Sequence, residues 1–220
     1  MKFQNLCSPG ERRRKLRNIL RACALFMLAA FVLSTLSFQA RAAGVRREVL
    51  RLHVVANSNN AVDQRAKYAV RDAILAYGAT LFDGSINADE AEQTLAPHLA
   101  QLQTVAQQTL QNLGLHYSVH ITVGTAFFNT RSYAEAGLTF PAGRYQAVQV
   151  FLGEQTGENW WCVMFPPLCL PAATPRNATT LDAVLTDGQL RVVQADPRFE
   201  VRFRVVELWE NAMERLRGDA

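Results

Sequence analysis

The side chains that could bind a metal ion are few in this chain and far apart. Its histidines are His53, His98, His116 and His120. His116 and His120 would lie on one face of a strand, but four residues of strand separate them by about 13 Å. Two ligands of one metal ion each need a bond of about 2 Å, so this pair is too far apart to share one. The sequence therefore predicts no metal site.

Cys162 is the candidate nucleophile, because a thiol can act with a histidine that lies far away in the sequence. Its neighbours Trp160, Trp161 and Val163 are apolar, and apolar surroundings raise the pKa of a thiol and lower its reactivity. Ser58 has no Gly-x-Ser-x-Gly elbow around it, and phosphate-binding and dinucleotide-binding loops are absent. The sequence thus predicts no catalytic residue and no cofactor. A hydrolase acting on cell-wall or peptide material is the alternative.

A cluster of small amides and one hydroxyl follows an apolar run in the sequence HVVANSNN, residues 53–60. Asn60 is placed to cap a following helix, and Asp63 lies where a carboxylate meets free backbone N–H groups. Residues 57–60 are therefore predicted to form a corner between a strand and a helix. An exposed corner held by rigid elements also suits recognition, so the same residues are a candidate contact surface.

Charged side chains form a stripe along the helix that follows this corner. Asp63, Lys67 and Arg71 follow one another at four-residue spacing, with Gln64 and Asp72 beside them. As an exposed ladder the stripe would contribute only about 0.3 kcal/mol per pair. The alternative interpretation is a docking surface. In either case Lys67→Ala and Arg71→Ala are expected to leave the fold intact.

Two adjacent tryptophans, Trp160 and Trp161, lie in an apolar run. On a strand they must point to opposite faces, so one of them could leave the core and anchor an interface. The predicted partner-binding residues are Asn57, Ser58, Asn59, Asp63, Gln64, Lys67, Arg71, Asp72, Tyr145, Trp160 and Trp161.

Residues 1–42 have the composition of a signal peptide. They hold eight Lys/Arg and one acid, then the uncharged stretch Ala22–Phe38 and the small-x-small pattern Ala40-Arg41-Ala42. The uncharged helix would be about 25 Å long, a little short for a hydrocarbon core of about 30 Å. An anchor retained through residues 22–38 stays open as the alternative. In both cases the chain after Gly44 is exported.

The exported part is mildly acidic, with eighteen Asp/Glu against fifteen Lys/Arg. The basic residues that raise the net charge of the whole chain to +4 are concentrated in the leader. Because a nucleic-acid binder carries a basic patch on its folded part, nucleic acid is not a predicted partner.

Cys162 and Cys169 are the two cysteines of the exported part, in a compartment that tolerates disulfides. The proline pair between them favours a turn that could bring the sulfurs together. A bond closing a ring of about eight residues would contribute roughly 2.5 kcal/mol on the chain-entropy model. The alternative is that both are small buried hydrophobic residues.

Hydrophobic periodicity predicts the elements that position these residues. They are, in order, a strand at 49–56, a helix from Asn60 to Gly78 or Gly84 with Val62, Ala66 and Val70 in its apolar stripe, a helix from Asn87 to Gly114 that is kinked or restarted at Pro97, a strand at 117–123, and interior strands at 144–152 and 160–165. This order predicts an α+β fold. It is a two-layer sandwich, in which the N-terminal strand and two helices pack on a mainly antiparallel sheet, after the signal or anchor helix.

The chain is predicted to have three parts. Residues 1–42 are the signal peptide or anchor, residues 43–171 the extracytoplasmic domain, and residues 172–220 a linker with a C-terminal strand-helix extension. Alternation of apolar and charged residues over Phe199–Val205 predicts the strand, and helical spacing from Leu208 predicts the helix.

Two stretches, LRLHVVANSNNAVDQRAKYAVRDAIL and FPAGRYQAVQVFLGEQTGENWWCVMFPPLC, resemble the stage II sporulation protein R family of endospore-forming bacteria. The resemblance runs from about Leu50 to Leu170, and the aromatic-rich NWWCV.FPPLC segment is its most specific part. This chain departs from the family pattern at Asn59, where Asp is usual, at Gln155, where Gly is expected, and at Asn129, where Pro is common.

The resemblance implies a signalling protein, not an enzyme. Members are made in the forespore and secreted across its membrane into the space between the two membranes. There they activate a membrane-embedded aspartic protease of the mother cell, which cleaves a sigma-factor precursor. The implied partner is that protease, with membrane contact through the N-terminal segment.

Overall fold

The computed structural model describes residues 9–82, 87–133, 136–168, 181–194 and 200–217. The chain divides into two compact units, Met1–Ala40 and Arg41–Ala220. The described part of the first unit is helical and belongs to α1 (Pro9–Glu48). Over Glu11–Glu48 this helix has the length and hydropathy of a membrane-crossing segment, as a signal peptide or an anchor requires.

The second unit contains the end of α1 and the elements that follow it. These are β1 (Leu50–Val55), α2 (Ala61–Leu81), α3 (Ala88–Leu95), one 3-10 turn (Ala96–His98), α4 (Leu99–Asn112), β2 (Val119–Phe128), β3 (Arg131–Tyr133), β4 (Leu138–Phe140), β5 (Gly143–Leu152), β6 (Asn159–Phe165), α5 (Leu181–Val184), α6 (Asp187–Val193) and α7 (Glu200–Arg217).

Four strands form the main sheet in the order β2-β5-β1-β6. β2 and β5 are antiparallel, β1 and β6 are antiparallel, and β1 and β5 are parallel. Parallel neighbours need a long crossover, which helices α2 to α4 help to provide here. The predicted α+β class with a mainly antiparallel sheet is confirmed. β6 was predicted to be interior and instead lies at the edge of this sheet; its apolar composition reflects the burial of Cys162–Phe165.

Helices α2, α3 and α4 cover one face of the sheet, as predicted. The buried residues between these helices and the sheet include Leu52, Val54, Val70, Ile74, Leu102, Leu110, Val148 and Val150. Val62 was predicted in the apolar stripe but is 45% exposed, because it lies on the far side of the first turn of α2. Gly78 does not end α2 but lies inside it. A Cβ there would come within 2.5 Å of Met164 Cε, so the glycine lets α2 approach β6 closely.

The short-range signals for helix ends are confirmed. Asn60 Oδ1 accepts from the backbone N–H of Asp63 at 2.7 Å, and Asn87 caps α3 in the same way. Pro97 separates α3 from α4, since its ring cannot continue the helix. Gly114 follows α4 with φ +74°, the left-handed conformation in which glycine is favoured.

The second face of the sheet carries a core of its own, which the sequence did not predict. The end of α1, the β3-β4 hairpin and α5 and α6 contribute to it, through residues that include Val45, Val49, Phe140, Leu181, Leu185 and Val193. They pack on Ala147 and Val163 of the sheet. The predicted helix layer is therefore present, and part of the opposite face is covered as well.

The strand predicted over Phe199–Val205 is wrong from Glu200 onward, because the backbone from Glu200 to Arg217 is the single helix α7. Val201, Val205 and Leu208 also follow one another at four- and three-residue spacing. A short alternating stretch can therefore continue a helical pattern. The predicted linker, up to residue 180, lies outside the described residues.

Candidate partner-binding site

The corner between β1 and α2 is fixed by the side chain of Asn57. Asn57 Nδ2 donates to Asp63 Oδ2 at 2.7 Å, and Asn57 Oδ1 accepts from the backbone N–H of Glu154 at 2.8 Å. The backbone carbonyl of Asn57 also accepts from the N–H and Oγ1 of Thr156, at 3.1 and 2.8 Å. One residue thus joins the start of α2 to the loop between β5 and β6.

Asp63 is the centre of this corner and is buried, with 3% of its surface exposed. Its carboxylate accepts hydrogen bonds from Asn57, Ser58, Asn60 and Tyr117 at 2.7 to 3.1 Å. Burial alone would raise the pKa of this carboxyl, but the four hydrogen bonds together outweigh burial and hold the pKa below its usual value. Asp63 is therefore an ionised structural centre.

Asn59 and Gly157 complete the junction with the β5-β6 loop. The backbone N–H of Glu158 donates to Asn59 Oδ1 at 2.7 Å, and Gly157 N–H donates to the carbonyl of Ala56 at 3.0 Å. A Cβ at Gly157 would collide with the carbonyl oxygen of Ser58. Since an aspartate oxygen can accept the same bond as Asn59 Oδ1, the family's usual Asp would fit this position equally well.

Gln155 adopts a left-handed backbone conformation at the tip of this loop, with φ 59°. It is exposed, and its N–H donates to the carbonyl of Leu152 at 3.2 Å. A side chain is strained at such a φ and glycine is not. The backbone conformation at Gln155 thus favours glycine, which is the residue expected at this position from the family pattern.

Lys67 is buried, with 1% of its surface exposed, which contradicts the exposed ladder predicted from the four-residue spacing. Its Nζ donates to Gln64 Oε1 at 2.6 Å and to the carbonyl of Glu158 at 3.2 Å. Burial lowers the pKa of Lys67, Arg71 lowers it further, and the Glu158 carboxylate opposes both. Lys67 ties α2 to the loop, so Lys67→Ala would break two contacts of a buried group.

Three neighbouring side chains form an accessible cluster beside this corner, the Tyr68–Arg71–Trp160 cluster. The Arg71 guanidinium lies 4.6 Å from the Trp160 ring centre and 5.0 Å from that of Tyr68. The Tyr68 and Trp160 rings meet edge to face at 5.4 Å. Arg71 also pairs with Asp72 at 2.6 Å. The site prediction omitted Tyr68, although its place next to Lys67 on α2 could have indicated it.

Trp161 points to the other side of the sheet from Trp160, as predicted for adjacent strand residues. Its ring stacks on His53 at 3.8 Å with an interplanar angle of 4°, and meets Phe128 edge to face. His53 Nε2 donates to Asn159 Oδ1 at 2.8 Å, and burial lowers the pKa of His53. His53 and Trp161 line an open cavity of about 240 Å³. Both tryptophans are half-buried.

Tyr145 is a core residue, which rules out direct contact between its side chain and a partner in this fold. It is 1% exposed, and its hydroxyl donates to the carbonyl of Pro141 at 2.6 Å. Burial raises the pKa of Tyr145 to about 12. Its neighbours in sequence, Arg144 and Gln146, did not indicate that Tyr145 is buried. The alternation of residues along a strand separates its two faces but does not show which face other elements cover.

Arg51 is fully buried on β1 and was missed by the sequence analysis. Its Nε donates to the carbonyl of Cys162 at 2.9 Å and its Nη2 to the hydroxyl of Tyr133 at 3.0 Å. The guanidinium lies 4.4 Å from the centre of the Phe128 ring and 4.9 Å from that of Tyr145. Aromatic faces therefore surround this cation.

Cys162 is disulfide-bonded. Cys169 lies outside the described residues, so the predicted pairing stays a prediction. Among the residues that the structure describes, no group of three or more His, Cys, Asp or Glu could hold a metal ion.

The family model described as stage II sporulation protein R matches residues 46–174, which include the corner, the β5-β6 loop and the Tyr68–Arg71–Trp160 cluster. The chain belongs to the stage II sporulation protein R family. Stage II sporulation protein R of Bacillus subtilis (strain 168) is 33% identical over 122 residues, 56% of this chain and 54% of that protein. The chain thus matches about half the length of this curated relative. No solved structure matches the chain. Family membership places the protein in sporulation, and α7 lies beyond the matched residues.

Proposed function

We propose that this protein is secreted across the forespore membrane and activates a membrane-embedded aspartic protease of the mother cell, which then processes a sigma-factor precursor. Membership of the stage II sporulation protein R family supports the sporulation role. The N-terminal apolar helix is compatible with export or anchoring. The forespore origin, the intermembrane space, the protease and its substrate are what the family resemblance implies.

The observation that carries a binding role is the Tyr68–Arg71–Trp160 cluster. Tryptophan, tyrosine and arginine are the residue types that dominate the binding energy of protein interfaces. Tyr68 is exposed, and Arg71 and Trp160 are half-buried. The hydrogen bonds of Asn57 and Lys67 hold the helix and the loop on both sides of the cluster, so the surface is already ordered before a partner arrives.

The proposed contact surface has the cluster at its centre and the accessible corner residues at its edge. Asn59 is exposed, and Asn57, Ser58, Gln64 and Asp72 are partly accessible. Activation follows if this surface binds the active form of the protease, such as a dimer, more tightly than the inactive form. A ligand of that kind shifts the equilibrium toward the active form without taking part in the chemistry.

The test is a reconstitution in a non-sporulating host. The protease, the sigma-factor precursor and this protein are produced together, and precursor cleavage is followed by immunoblot. Arg71→Ala is compared with Arg65→Ala, which removes an exposed arginine from another side of the same helix. We expect Arg71→Ala to lower cleavage about tenfold or more, as loss of an interface anchor does, and Arg65→Ala to leave it unchanged.

Equal cleavage with both variants, at equal protein levels, would show that the cluster is not the contact surface. Titration separates activation from the hydrolase alternative, because an activator saturates near one-to-one with the protease whereas an enzyme turns over. A disulfide-bonded Cys162 is also not the thiolate that a cysteine hydrolase needs.

A further inference from the structure

Helix α7 turns acidic side chains toward the rest of its unit. Glu210 Oε1 lies 3.5 Å from Arg46 Nη2, and Glu214 Oε1 lies 2.8 Å from Arg144 Nη1. Val206, one turn before Glu210, is 2% exposed and lies on the same inner side. A surface helix ordinarily buries an apolar stripe and exposes its charges. Among the residues of α7 whose side chains are described, the inner side instead includes two acids held in ion pairs.

The opposite side of α7 is apolar and open to solvent. Leu208, Trp209 and Leu216 are 71%, 60% and 81% exposed, and Ala212 between them is exposed as well. At 100° per residue these four side chains fall within an arc of about 100°. They form one continuous stripe, the outer face of α7.

Two exposed arginines, Arg204 and Arg215, lie beside this stripe. Arg204 is 3.7 Å from Glu207, which lies toward the inner side of the helix. The other acids with described side chains, Glu210 and Glu214, are turned to the inner side. The outer face therefore combines leucine, tryptophan and arginine, which is the composition of helices that lie in the interface of an anionic bilayer.

We propose that the outer face of α7 binds the surface of an anionic lipid bilayer. A leucine-rich stripe enters the boundary between headgroups and acyl chains, tryptophan prefers that depth, and arginine attracts lipid phosphate. An isologous dimer through the same face fits less well, because antiparallel pairing of two α7 helices would bring Arg204 of one copy near Arg215 of the other.

The composition of the N-terminal helix also favours contact between this chain and a bilayer. The first unit holds a helix with the length and hydropathy of a membrane-crossing segment. A second, reversible contact through α7 would keep the domain at the membrane whether or not the leader is removed. This proposal does not depend on the protease contact, since α7 lies outside the residues that match the family model.

Quenching of tryptophan fluorescence by brominated lipids tests the proposal on the full chain. The three tryptophans of the chain are Trp160, Trp161 and Trp209, so the N-terminal helix gives no signal. The protein is reconstituted into phosphatidylcholine vesicles with or without 30% phosphatidylglycerol, each made with and without brominated acyl chains. We expect quenching in wild type that is absent in Trp209→Phe, because Trp209 alone enters the acyl region.

Leu208→Glu combined with Leu216→Glu is the disrupting variant, and it retains all three tryptophans. Its unfolding temperature should equal that of wild type, since both side chains are exposed, while quenching is lost. Arg204→Gln and Arg215→Gln should each lower the equilibrium constant for insertion of α7, read from the quenching of Trp209, about fivefold in phosphatidylglycerol vesicles and little in phosphatidylcholine alone.

Wild-type protein without quenching, or quenching that survives Trp209→Phe, would overturn the proposal. So would a dimer in detergent that the leucine substitutions convert to a monomer, because a second copy would then cover the outer face.

Discussion

The backbone N–H of Glu154 donates a 2.8 Å hydrogen bond to Asn57 Oδ1, and so joins two segments that are far apart in sequence. Because Asn57 Nδ2 also donates to Asp63, one amide side chain holds the loop, the corner and the helix together. The contact surface proposed for the protease rests on this junction. The stability of the junction can be tested separately from binding to the protease.

Asn57→Ala should lower the free energy of unfolding by about 2 kcal/mol, because two hydrogen bonds are lost and one of them is donated to the buried carboxylate of Asp63. The measurement is urea unfolding of the full chain in detergent, followed by the fluorescence of its tryptophans. Gln103→Ala, at an exposed position of α4, is the control. An Asn57→Ala midpoint equal to the control's would show that the loop is held by its backbone bonds alone.

Asp63→Asn should destabilise the protein at pH 7 and progressively less in acid. The folded pKa of Asp63 lies below its ordinary value of 3.8, so its carboxylate contributes stability that is fully present above about pH 4. That contribution is lost as pH falls through the folded pKa, because the carboxyl becomes protonated. Urea midpoints of wild type and variant from pH 7 to pH 3 should therefore converge; a constant gap would contradict this role.

Gln155→Gly should stabilise the protein by about 0.5–1 kcal/mol, because glycine adopts the left-handed conformation at this position without strain. Gln155→Ala is the matched control and should give no gain, since alanine has the same backbone restriction. Thermal unfolding of the three proteins measures the effect. A gain with alanine as large as with glycine would assign it to the glutamine side chain.

Arg51→Lys should be more destabilising than Arg51→Met, although lysine keeps the charge. Lysine cannot make the forked contacts to Cys162 and Tyr133, and it confines its charge to one buried atom. Methionine fills similar space without a charge, so we expect about 1–2 kcal/mol for Met and about 3 kcal/mol for Lys. Urea unfolding ranks the two, and the reverse order would show that the positive charge itself is required.

Local rules predicted the elements around the corner because their causes lie within a few residues. The N-terminal cap of α2 requires only Asn60 and the N–H of Asp63. The break between α3 and α4 requires Pro97, and the left-handed residue that ends α4 is Gly114. The α+β class follows from the order of such elements. These features could be predicted from the sequence before any tertiary contact was known.

Burial of the charged stripe could not be predicted in this way. Asp63 is covered by Tyr117, and Lys67 by the carbonyl of Glu158, and both partners lie beyond several intervening elements. Arg71 and Tyr68 remain accessible on the same helix. They differ from Asp63 and Lys67 only because distant segments do not pack over them. The β3-β4 hairpin was missed because strands of three residues leave too short a pattern.

Strand β1 lies at the centre of the sheet, yet both of its neighbours come late in the chain; Arg51 meets Cys162 across 111 residues of sequence. In the export proposed above, which starts from the N-terminus, β1 would leave the translocation channel first and would have no ladder partner until β5 and β6 had followed. Such long-range pairing makes folding slow and leaves an apolar strand exposed to wrong partners. If the protein is exported as proposed, completion of the sheet follows passage of the chain across the membrane and cannot drive it.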